Sequence, residues 1–144
     1  MKLKIDLDEM EKEFFEDTLI LGVVAPVDDY KICWQLNQLL SYDFRRNADL
    51  EVQLRRKQRD YYFSIFEYPM PNSSLVHYVY CNQNDGEYLL PEMKHLDFIW
   101  LMKGDVVSSD YLEDLTKTLR SIPAVQLVVE VSPVKIKSKS NLIF

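Results

Sequence analysis

The sequence predicts an α+β fold: a largely antiparallel sheet of about six to seven strands with two helices packed on one face. Three observations carry that prediction. Two runs, 18–25 and 96–102, are apolar on both parities, as strands covered on both sides are. Two other segments repeat their apolar residues at helical spacing. The remaining segments are short, largely alternating, and separated by turn-forming residues, which is the punctuation of hairpins.

In chain order, 18–25 is the first central strand. Pro26 and Val27 lead to Asp28, a favourable N-cap, after which Ile32, Cys33, Leu36, Leu39 and Leu40 follow a helical period. Tyr30 and Trp34, four apart, add a second stripe, so this helix is expected to be well buried. Leu50, Val52 and Leu54 alternate with Glu51, Gln53 and Arg55, the pattern of a strand with one wet face. A basic loop, 56–60, joins it to the aromatic stretch 61–68 as a hairpin. Residues 69–74 break the chain, and 75–81 resume as a strand. Asn82 to Gly86 supply turn chemistry before a short element at Tyr88, Leu89 and Leu90, which Pro91 ends.

The run 96–102 is the second central strand. A second helix begins near Ser109, with acidic Asp110, Glu113 and Asp114 early and basic Lys117 and Arg120 late, as the macrodipole favours. Leu112, Leu115, Leu119 and Ile122 form its core stripe. Pro123 stops it, and Val125, Leu127, Val129 and Val131 mark the last strand. The basic tail 133–144 is expected to fray unless Leu142, Ile143 and Phe144 dock.

At 144 residues the chain has the size of one domain, 1–144, and its 47% hydrophobic and 28% charged residues are those of a globular protein. The longest apolar run, Leu19 to Val27, is too short for a membrane helix and contains Pro26. The N-terminus lacks the apolar core of a secretory signal, so a cytoplasmic location is expected. There Cys33 and Cys81 remain unpaired, as two buried thiols. The net charge of -6 disfavours nucleic acid and anionic lipid on average. The charge is polarised, with an acidic run over 6–16 and a basic one over 45–59.

Leu90-Pro91-Glu92-Met93-Lys94-His95-Leu96-Asp97-Phe98 resembles the motif that names the IPExxxVDY family of small bacterial proteins. Pro91, Glu92 and Asp97 match outright, whereas Leu90, Leu96 and Phe98 stand for the named Ile, Val and Tyr. Phe98 lacks the phenolic hydroxyl, which removes any hydrogen-bonding role at that position. Residues 29–37 are also similar to the family's first helix. The resemblance spans most of the chain and implies no catalytic or binding residues.

With three glycines in the chain, no glycine-rich phosphate loop or nucleophile elbow can be written. His77 and Cys81, four apart on an extended strand, lie roughly 13 Å apart and cannot share a metal ion. They read as packed residues, and neither a metal nor a cofactor is expected. Glu92, His95 and Asp97 form the one candidate acid-base group, and they converge only if 92–95 turn. The competing reading makes Glu92 a loop former and Asp97 an acceptor at the start of its strand.

The segment 59–66 partly matches the aromatic octapeptide of RNA-recognition domains. Arg59, Tyr61, Phe63 and Phe66 stand at its basic and aromatic positions, and Arg55, Arg56 and Lys57 lie close by. An aromatic strand is more often core, which makes nucleic acid an improbable partner. The sequence therefore favours a non-enzymatic interaction or regulatory domain with a protein partner. An RNA-binding accessory protein using hairpin 55–66 and a hydrolytic enzyme at Glu92, His95 and Asp97 are the alternatives.

Overall fold

The two runs without a wet face lie side by side inside the sheet. The computed structural model describes residues 2–144, with 2–7 given by backbone alone. The elements are α1 (Lys2–Phe15), β1 (Leu19–Val24), α2 (Asp29–Leu40), β2 (Arg45–Arg56), β3 (Arg59–Pro69) and β4 (Val76–Cys81). They continue with β5 (Gln83–Asn84), β6 (Glu87–Tyr88), β7 (Phe98–Lys103), α3 (Ser109–Arg120) and β8 (Leu127–Val131). Six strands form one antiparallel sheet in the order β2-β3-β4-β7-β1-β8, and β5 and β6 pair separately as a small ribbon. The fold is α+β.

Alternate residues of each strand serve opposite layers. Leu21, Val23, Val79, Phe98, Trp100 and Met102 face α2 and α3, which cover them with Ile32, Cys33, Leu36, Leu115 and Leu119. Ile20, Phe63, Ile65, Tyr80, Ile99 and Leu101 face the opposite layer, built from the 82–97 loop, the C-terminal tail and the end of α1. Gly22 belongs to this packing, because a Cβ there would collide with the Leu96 side chain.

Asn82 organises the loop. Its Nδ2 donates to the Met93 and Leu96 carbonyls at 2.8 and 2.9 Å, and its Oδ1 accepts from the Leu90 amide at 2.8 Å. A fully buried amide is thereby satisfied, and Leu89, Leu90 and Leu96 are held over the sheet. The sequence presents Asn82 only as a turn residue and 88–90 as one short element. In the structure Tyr88 closes the β5-β6 ribbon, and Leu89 and Leu90 are core.

Residues 133–144 are docked rather than frayed. Ile136 and Leu142 are buried, Tyr80 Oη donates to the Leu142 carbonyl at 2.6 Å, and Asn141 Nδ2 donates to the Leu89 carbonyl at 2.9 Å.

Further differences concern helices. The acidic run over 6–16 belongs mostly to α1, a third helix, anchored by Phe14 and Phe15 against the tail-side layer and by Lys103 Nζ donating to the Phe14 carbonyl. The second stripe of α2 faces solvent, with Tyr30 60% and Trp34 64% exposed, and Leu39 is exposed as well. Cys33 is buried but Cys81 only half so. Among the described residues no helix is long and apolar enough to cross a membrane.

Candidate functional site

Pro91 starts a single 3-10 turn, Pro91–Met93, which turns the chain toward β7. Glu92 lies on its exposed side and accepts from both the amide and the hydroxyl of Ser138, at 2.9 and 2.7 Å. Partial burial raises its pKa, but the Ser138 hydrogen bonds outweigh that and hold the carboxyl below its ordinary value. Asp97, half-buried, accepts from the Ala25 amide through Oδ2 at 2.8 Å. His95 is exposed and lines an open cleft of about 570 Å³ beside β8, whose walls include neither Glu92 nor Asp97. The three candidate acid-base residues are thus pulled apart, to the tail, to β1 and to solvent.

The basic hairpin closes on Lys57 and Gln58, whose φ values of 52° and 63° belong to a two-residue primed turn. Its aromatics point inward: Tyr61 and Phe63 are buried beneath the loop and tail. Three of its cations have carboxylate partners. Arg55 meets Asp60 at 3.2 Å, Arg59 binds Asp85, and Lys57 lies 3.8 Å from Glu87. Arg56 donates to the Arg55 carbonyl. Stacked bases need exposed rings beside unpaired cations. Tyr62, exposed on the other parity, is the one open ring of this stretch.

His77 is fully buried within the helix-side layer. Trp100 Nε1 donates to its Nδ1 at 2.9 Å, so the ring proton resides on Nε2, 3.2 Å from the Tyr111 hydroxyl. Tyr111 in turn bonds Tyr42, which stacks on Tyr68. Burial pushes the His77 pKa down to about 4, so the ring is neutral. This is a satisfied core histidine. Burial and then nearby Asp29 push the Cys33 thiol up to about 12, and the same causes raise Cys81, which donates to Asp29 at 3.4 Å. Both are poor nucleophiles. Among the described residues no group of three or more His, Cys, Asp or Glu could hold a metal ion.

The outer face of α2 is different. Burying Ile32, Cys33 and Leu36 turns Tyr30, Lys31 and Trp34 outward. With Val27 and Gln35 these residues line an open recess of about 600 Å³ whose surface is mainly apolar. Gln35 Oε1 is the one buried side-chain nitrogen or oxygen among the described residues that lacks a hydrogen-bond partner. Exposed aromatic bodies with polar tips around an apolar recess are features of interface centres rather than of solvated helices. Sequence periodicity identified the stripe but assigned it to the core. No protein-family model matches the chain, and no curated protein matches it.

Proposed function

We propose that the chain is a non-enzymatic interaction or regulatory domain of the bacterial cytoplasm, docking a protein partner on the α2 surface centred on Tyr30 and Trp34. The observation that carries this reading is the pair of large aromatic side chains on successive turns, each more than half exposed and together lining a mainly apolar recess. Leaving such rings in water forgoes a large part of the roughly 1.5 to 3 kcal/mol that fully burying a large side chain contributes. A partner that covers the rings recovers that contribution.

On this reading the chain is a member of the IPExxxVDY family, and the motif residues are framework. The Asp97 bond to Ala25 and the Glu92 bonds to Ser138 support that role, because both carboxylates are occupied. The test is capture from a bacterial cytosolic fraction on immobilised wild-type and Trp34→Ala protein, compared at equal loading. A partner retained by the first and lost by the second supports the proposal. Identical retention by both overturns it.

A further inference from the structure

The sheet has two edges, and they are defended unequally. β2 carries a register irregularity between Arg46 and Glu51, and charged side chains occur along its length. Bulges and charges are the usual devices that prevent an edge from pairing. β8, Leu-Val-Val-Glu-Val, has no bulge in its pairing with β1, no proline or lysine, and a single charge. Leu127 is 44% exposed, and Val129 and Val131 are only half-buried.

We propose that two copies of this chain pair antiparallel through β8, across a twofold axis at Val129, so that the sheet continues from one protomer into the other. The strand is self-complementary in this register. Leu127 lies beside Val131 of the partner subunit and Val129 beside its own counterpart, closing an apolar strip on the tail-side face. On the helix-side face Val128 stands opposite Glu130 of the partner subunit. Arg120, the last residue of α3, donates from Nη2 to the Val128 carbonyl at 3.2 Å, so its guanidinium already stands at this edge close to that carboxylate, and the second lone pair of the carbonyl is left to accept the amide of Glu130 of the partner subunit. The twofold makes this ion pair twice, and it separates the two Glu130 carboxylates from each other. A five-residue strand and its flanks form a small interface, so the dimer is concentration-dependent and weakens with salt. The proposal rests on β8 and is independent of the α2 surface.

The experiment is sedimentation velocity over a wide dilution series at low salt, with wild type, Glu130→Arg, the double variant Arg120→Glu/Glu130→Arg, and Trp34→Ala. Amide exchange across 127–131 is followed in the wild type at both ends of the series. Wild type and Trp34→Ala should dimerise alike, Glu130→Arg should bind its copy about tenfold or more weakly, and the double variant should recover. Exchange over 127–131 should slow as the dimer forms. A wild type that stays monomeric throughout overturns the proposal, as does a dimer whose 127–131 amides exchange as fast as the monomer's. Undiminished dimerisation of Glu130→Arg overturns it too.

Discussion

Asp97 Oδ2 accepts the Ala25 amide at 2.8 Å while the Asp97 amide donates to the Val23 carbonyl at 2.9 Å, so one residue joins the end of β1 to the start of β7 through side chain and main chain alike. The Ala25 amide lies just beyond β1, where the register with β7 has run out, and the carboxylate supplies its acceptor.

Replacing Asp97 with alanine leaves that amide unpaired and is predicted to cost about 1 to 3 kcal/mol of stability. An asparagine side chain retains one acceptor oxygen, so Asp97→Asn should cost less. Chemical denaturation of the three proteins measures this. Asp97→Ala as stable as wild type would make the carboxylate a binding group instead.

His77 gives stability a defined pH dependence. Its folded pKa, lowered to about 4 by burial, lies below the ordinary value of about 6.5. Between those values the unfolded chain binds a proton that the folded ring refuses. Stability is therefore full above about pH 6.5 and is lost as pH falls toward 4, by about 2 kcal/mol between pH 7 and 5. The groups hydrogen-bonded to the ring, Trp100 and Tyr111, are uncharged in this window. Urea denaturation of wild type and His77→Gln at the two pH values tests it, and the variant, though weaker overall, should lose less between them.

Phe63 is 1% exposed, so Phe63→Ala should remove about 3 to 5 kcal/mol of stability. The same buried position predicts only weak, salt-sensitive attraction of single-stranded RNA to Arg55, Arg56, Lys57 and Arg59. Tight binding at physiological salt that depends on Phe63 in a folded protein would restore the RNA reading.

What the sequence made legible was whatever composition and period decide locally. Apolar residues on both parities identified β1 and β7, which are adjacent in the sheet interior. The second helix was expected near Ser109, and Ser108 caps it there by accepting from the Tyr111 amide at 3.1 Å. The α1 helix was hidden by its charge, although Leu3, Leu7, Met10 and Phe14 recur at intervals of four, three and four. Periodicity also cannot say which of two stripes on α2 meets the sheet. Ile32, Cys33 and Leu36 already fill that contact, so Tyr30 and Trp34 are left outside. Asn82 satisfies groups at Leu90, Met93 and Leu96, and that long-range accounting has no signature in a window of sequence.

The central claim is that the α2 face is an interface, and the most direct measurement is calorimetric affinity of the captured partner for wild type, Trp34→Ala and Tyr62→Ala. Both substituted rings are exposed, so both variants should keep wild-type stability to within about 0.5 kcal/mol. Trp34→Ala should bind at least about 2 kcal/mol more weakly, as loss of a central aromatic anchor does, and Tyr62→Ala should bind as wild type. Equal affinity of all three proteins would contradict the account.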